Sequence, residues 1–133
     1  MSNGASLSFG SNLNAGVETR LSDQIGRYLD LATSQAKLTA ANMANIDTPG
    51  YRTVGMDFES EMRTAMAGGD QGQSPGPVHV HFMDGLIARP DGNNVSMDRE
   101  GLNLAEAQLK FRTGVALLRE EYQRVMNAIH ADK

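Results

Sequence analysis

A proline at position 49 followed by a glycine at 50 ends any helix that reaches them from the N-terminal side. Pro49 fixes its own φ and pushes Thr48 out of the α region, so a helix running through Ala40-Ala41-Asn42-Met43-Ala44-Asn45 stops at or before Thr48. Thr48-Pro49-Gly50-Tyr51 has the residue order of a type II turn, with proline at the first central position and glycine supplying positive φ at the second. Asn42 and Asn45 fall in the last helical turn, where the carbonyls lack intrahelical partners. Their amides are placed to bond the backbone of the departing chain and so fix its exit angle. By residue chemistry alone the same stretch also describes an ordinary helix stop.

On either side of this break the sequence carries a helical period. From about Val17, at roughly 100° per residue, Leu21, Ile25, Tyr28, Leu29, Ala32, Ala36, Ala40, Met43 and Ile46 share one broad face, widened by Leu31 and Leu38. That arc is wider than a single partner helix fills. Near the C-terminus, steps of four and three residues pick out Leu104, Gln108, Phe111, Val115, Leu118, Tyr122, Val125 and Ile129, a stripe of coiled-coil quality. Gly114 beside it permits close helix approach. Leu102, Ala105, Leu109 and Ala116 form a second, weaker stripe on nearly the opposite face. Two long helices cannot cover both faces of each other. Each large apolar side chain left in water forfeits roughly 1.5–3 kcal/mol of burial, and half a dozen such losses rival the whole stability of a small domain, about 5–15 kcal/mol. The chain therefore reads as a subunit whose missing cover comes from other chains.

The expected division is a flexible N-terminal arm over 1–16, an inner helical domain made of helices over 17–46 and 96–130, and an irregular middle over 47–95. Asp57 or Ser60 caps a short helix running to about Ala67, and Gly68 to Pro77 is a Gly/Pro-rich connection without regular structure. Val78 to Phe82 alternates like a short strand and forms a small β-hairpin with Ile87 through Asp84-Gly85. Ser96 or Asp98 caps the last helix, with Asp98 and Glu100 at its positive end. The fold class is mainly α, two long terminal helices in a coiled-coil-like pair joined by a loop-rich middle.

Composition narrows the functions. The net charge is −4 with no basic run, which argues against a nucleic-acid partner. There is no cysteine, which removes disulfides, thiolate metal sites and cysteine nucleophiles together. The first twenty residues lack the basic start and apolar core of a secretory signal, and no stretch is long enough for membrane insertion. His79 and His81 share a strand face but lack a third ligand, so they read as solvent-facing. The Asp91-Gly-Asn93 segment fails the calcium-loop pattern. Glu59, Glu61, Glu120 and Glu121 read as solvated helix faces. No catalytic residue, cofactor site or metal site emerges, and the chain does not read as an enzyme.

Ala41-Asn42-Met43-Ala44-Asn45-Ile46-Asp47-Thr48-Pro49-Gly50-Tyr51 resembles the signature of flagellar rod and hook axial proteins. Asp57-Phe58-Glu59, together with Asp91-Gly92-Asn93-Asn94-Val95-Ser96-Met97-Asp98-Arg99-Glu100, narrows the resemblance to the FlgB-type proximal rod proteins. The likeness covers about residues 20–130. It implies a structural subunit of the basal-body rod, polymerising through its terminal helices into the tube that transmits torque and conducts exported subunits. The partners implied are neighbouring copies, other rod proteins, the ring/export-gate adaptor and the flagellar type III export apparatus, which delivers such chains to the periplasm without a cleaved signal. The motif residues carried over are Asn42, Asn45, Asp47, Thr48, Pro49, Gly50 and Tyr51. Ile25, Leu29, Met43, Leu104, Leu109, Phe111, Val115, Leu118, Tyr122, Val125 and Ile129 are the residues expected to pack or polymerise. Phe58 and Met62 match the Phe-X-X-X-hydrophobic pattern of export-gate docking, as do Phe9 and Leu13. The alternative is a soluble helical adaptor that binds one partner helix and forms no polymer.

Overall fold

The structure is a computed structural model that describes residues 3–68 and 76–131, with side chains from Arg20 onward. Its elements in order are α1 (Asn3–Ala44), β1 (Val54–Gly55), α2 (Phe58–Ala67), β2 (His81–Phe82) and α3 (Met97–Ala131). α1 and α3 lie side by side and antiparallel. Glu100 meets Asn42, Lys110 meets Gln35, and Gly114 meets Leu29, so position rises on one helix as it falls on the other.

α1 begins at Asn3, well before the expected onset at Val17, so the segment expected to be a flexible arm continues the helix. No proline lies between Asn3 and Ala44. Each residue added to a helix already nucleated brings one more hydrogen bond. At the other end the helix tightens into i→i+3 bonds, Asn45 N to Asn42 O at 3.2 Å and Ile46 N to Met43 O at 3.3 Å. The turn then forms as its residues dictate: Gly50 has φ of 75° and Tyr51 N donates to Thr48 O at 3.2 Å.

Asp57 caps α2, its Oδ1 accepting from Ser60 N at 3.0 Å. α2 lies against α1, where Phe58 meets the Tyr28 ring edge-on with centroids 5.3 Å apart. The Lys110 ammonium sits over the Phe58 ring, 4.0 Å from its centroid. The Gly/Pro-rich connection expected after α2 lies, over 69–75, outside the described residues.

A small antiparallel sheet is present, but not as the expected hairpin. β2 pairs with β1, Val54 opposite Phe82 and Gly55 opposite His81, and Met83 N donates to Thr53 O at 2.9 Å. Ile87, the expected partner, is 93% exposed. The long-range pairing wins because β1 is already held from its other side by α1, so its free edge costs little further entropy to use.

The α1–α3 seam is unusual in what it buries. Along α3 the inward row is Glu100, Ala107, Gly114 and Glu121, a strict seven-residue repeat of small and acidic side chains. At Gly114 the helices approach so closely that a Cβ would lie 2.6 Å from Leu29 Cδ2 and 3.1 Å from Tyr28 Cδ1. The apolar stripe of Leu104, Phe111, Val115, Leu118, Tyr122, Val125 and Ile129 flanks this seam instead of forming it. Leu104, Val115 and Val125 are half-buried, whereas Phe111, Leu118, Tyr122 and Ile129 are exposed. On α1, Ile25, Leu31 and Ala32 are buried and Leu29 and Met43 half-buried.

Candidate functional site

Two features of this fold bear on function: a polar clasp around the turn and the apolar faces that α3 leaves open. The clasp begins at Asn42, which projects from the last turn of α1 and is 2% exposed. Its Oδ1 accepts from Val54 N at 3.0 Å and from the Tyr51 hydroxyl at 3.0 Å. Its Nδ2 donates to Val54 O at 2.8 Å and to Glu100 Oε2 at 3.1 Å. One amide therefore holds both backbone groups of a β1 residue, a side chain of the turn and the first turn of α3. Burial, and after it the charge of Glu100, pushes the Tyr51 phenol up, so its proton stays available to Asn42. Asn45 turns inward on its own helix end, Nδ2 donating to Ala41 O at 2.8 Å and Oδ1 accepting from Thr48 Oγ1 at 3.0 Å. Asp47, Thr48, Pro49 and Gly50 are exposed; Thr48 lends its hydroxyl to Asn45, and Pro49 and Gly50 shape the backbone of the turn.

The second half of the clasp comes from the segment before α3. Asn93 is fully buried, and its Nδ2 donates to the carbonyls of Asn45, Ile46 and Thr48 at 2.9, 3.0 and 2.9 Å. It thus caps the C-terminus of α1 from a distance, satisfying carbonyls that a helix end leaves open. Asn93 Oδ1 accepts from Val95 N at 2.8 Å, and Arg89 adds guanidinium bonds to Val95 O and to Ile46 O. Gly50 N donates to Asp91 O, Asn94 Oδ1 accepts from Thr53 N, and Arg99 Nη2 donates to Asn94 O at 2.9 Å. The turn motif and the Asp91–Glu100 segment are one structure. Nothing in the sequence signals their contact, because an Asp-Gly-Asn-Asn run is also plain turn chemistry.

Two glutamates expected on solvated faces are buried instead. Glu61 is 7% exposed, accepts from His79 N at 2.9 Å, lies 2.9 Å from His79 Nδ1 and stands 3.6 Å from Arg27 Nη2. It pins the return strand to α1 and α2, which the helical spacing of Arg27 and the remote His79 did not reveal. Glu121 is 3% exposed on the α3 seam, with Arg124 Nη1 at 3.6 Å. The seven-residue spacing of Glu100, Ala107, Gly114 and Glu121 was the signal available for it, hidden by the larger apolar residues alongside. His81, by contrast, points to its own strand, with Nδ1 3.2 Å from Phe82 O. Among the described residues no three His, Cys, Asp or Glu side chains converge as a metal site would require.

The backbone amide of His79 lowers the Glu61 pKa from its ordinary 4.5 against the opposing effect of burial, helped by the His79 ring and Arg27. A carboxylate with a depressed folded-state pKa stabilises the fold above its unfolded value and loses that contribution as pH falls through the folded one. Glu61→Gln is therefore expected to lower thermal stability at pH 7 and to narrow the gap from the parent chain below about pH 4.5. Melting curves of both chains from pH 7 to 3 check this.

Phe58 and Met62, the export-motif candidates, lie one turn apart on α2 and are half-buried. Phe58 contacts both Tyr28 and Lys110. The side chains of Phe9 and Leu13 lie outside the described residues. On α3 the outward residues Leu102 and Leu109 are 73% and 65% exposed, and on the flank Tyr122 and Ile129 are 69% and 54% exposed. These are two separate faces of one helix. No helix among the described residues is long and apolar enough to cross a membrane.

No protein-family model matches the chain. Among curated proteins, it is 30% identical over 119 residues to the flagellar basal body rod protein FlgB of Salmonella typhimurium, covering 76% of this chain and 86% of that one. It is 28% identical over 121 residues to FlgB of Escherichia coli K12, covering 77% and 88% of the two chains. With FlgB of Cereibacter sphaeroides it shares 29% identity over 127 residues, covering 86% and 99%.

Proposed function

The chain belongs to the family of the flagellar basal body rod protein FlgB, and from that premise we propose that it builds the proximal rod by packing its α1–α3 pair against neighbouring copies. The family's role is structural and its place is the flagellar basal body; the chain is not an enzyme. The observation that supports the packing is the uncovered apolar surface of α3. Leu102, Leu109, Tyr122 and Ile129 are each more than half exposed, on two faces set well apart around the helix. A single partner helix, as a soluble adaptor would bind, covers one of those faces and leaves the other in water. A tube of subunits covers both.

In this reading the inner domain is the α1–α3 pair, and the clasp of Asn42 and Asn93 sets the angle at which the middle segment leaves it. A rod with such walls carries torque along packed helices and encloses the channel through which later subunits pass. Other rod proteins and the ring/export-gate adaptor meet it at its two ends. The chain reaches the periplasm through the flagellar type III apparatus, with Phe58 and Met62 as the gate-docking pair. Because Phe58 is packed in the folded chain, the gate reads it before the fold closes. Phe58→Ala is expected to cut export several-fold while leaving synthesis intact, and unchanged export removes this role. Detection of the chain in purified basal bodies tests the rod assignment: it should co-purify with them, and its absence contradicts the proposal.

A further inference from the structure

On one flank of the seam, α1 and α3 enclose a groove of about 350 Å³. Its floor is Ala32, Ala36 and Ala107, and its α3 wall is Gln108, Phe111 and Arg112. The groove exists because small side chains stand where a seam usually carries large ones. Ala32 and Ala107 are each 1% exposed, so they line its bottom, while Phe111, 44% exposed, forms a lip. No other described residue lines it apart from Thr33.

The same stretch of α3 carries a protruding side chain of the right kind. Leu109 lies between Ala107 and Phe111 in sequence, so it stands at the same height along the helix as the groove. It is turned roughly 140–200° from the seam residues Ala107 and Gly114, by about 100° per residue. It cannot reach the groove of its own molecule. Copies set side by side with their long axes in register bring the Leu109 of one level with the groove of the next. The charges agree with this pairing. Arg112, on the groove's α3 wall, is exposed, and Glu106, three residues before Leu109, is exposed beside the knob.

We propose that Leu109 of one copy seats in the groove between α1 and α3 of the next copy. This rests on the rod reading and deepens it by naming a contact. Knob and hole occupy different surfaces of one molecule, so the contact is head-to-tail. Repetition then leaves each copy with a free knob on one side and a free hole on the other, the heterologous arrangement that builds a ring or, with a small axial offset between copies, an open helical assembly.

The natural absence of cysteine makes the test direct. A chain carrying both Ala36→Cys and Leu109→Cys cannot close a disulfide within itself, because the two positions face away from each other. Oxidation of basal bodies containing it is expected to give a ladder of dimers, trimers and longer species, with either single variant staying monomeric. Incorporation without a ladder overturns the proposal and leaves the rod reading intact. A disulfide to a different rod protein overturns it equally. Absence of the parent chain from basal bodies removes both. If the double variant fails to incorporate, Leu109→Asp decides. Its side chain is 65% exposed, so an isolated copy should keep its helicity by circular dichroism. Incorporation into basal bodies should fall at least tenfold. Unchanged incorporation of Leu109→Asp overturns the proposal.

Discussion

Asn42→Ala is expected to destabilise the fold by about 3–5 kcal/mol, the largest loss of any single truncation in the clasp. The estimate comes from what the amide leaves behind. Val54 loses partners for both its N–H and its carbonyl, and the Tyr51 hydroxyl loses its acceptor. Glu100, fully buried, loses the bond to its Oε2 and, among the described residues, keeps only Arg99 Nε at 3.5 Å from Oε1. An orphaned buried polar group costs about 1–3 kcal/mol, and removing one partner from a buried charge about 3–5 kcal/mol. These losses overlap and do not add fully. Urea titration followed by circular dichroism reads the change as a shift in midpoint at constant slope. Asn42→Asp supplies the sign test. It keeps the acceptor for Val54 N and Tyr51 but sets a second carboxylate against Glu100, so its deficit at pH 7 should shrink as pH falls.

The second large effect is at Asn93, where Asp and Ala substitutions should differ in an informative order. Asn93→Ala is expected to cost about 2–4 kcal/mol, chiefly from the Val95 N–H left without its acceptor and from the vacated space. The three carbonyls at the end of α1 keep other donors: Thr48 N for Asn45 O, Arg89 for Ile46 O, and Tyr51 N for Thr48 O. Asn93→Asp retains the acceptor for Val95 N yet points a carboxylate at those three oxygens, on the negative end of the helix dipole. It should be worse than alanine at neutral pH and recover in acid. Equal losses for Asp and Ala would mean that the amide acts as filler and not as a cap.

How far the sequence determined this outcome can be seen residue by residue. Pro49 and Gly50 allow few alternatives, and the turn forms with Gly50 at positive φ. Asp57 caps α2, and Asn42 bonds the departing backbone as its place in the last turn suggested. The outer stripe of Leu102 and Leu109 is exposed, as two helices that can cover only one face of each other require. What stayed hidden has a common cause. Hydrophobic periodicity finds large apolar residues, whereas the seam of Glu100, Ala107, Gly114 and Glu121 is built from small and charged ones. The partner of β2 and the reach of Asn93 to the end of α1 are long-range choices, made by groups more than twenty residues apart. Local propensity carries no record of them.

The inside of this molecule is therefore largely polar around the clasp, and much of its apolar surface is outside. Asn42, Thr53, Asn93 and Glu100 are each no more than 2% exposed, while Tyr122 is 69% and Leu102 73% exposed. For a chain of this family the simplest cover for that outer surface is the rod itself. Single cysteines placed by Leu102→Cys, Leu118→Cys and Tyr122→Cys in the cysteine-free chain measure this through maleimide labelling of free chain and of intact basal bodies. The account predicts rapid labelling of all three in the free chain and at least tenfold slower labelling of all three in the rod. Equal rates in both states would show that these faces stay in water after assembly and contradict it.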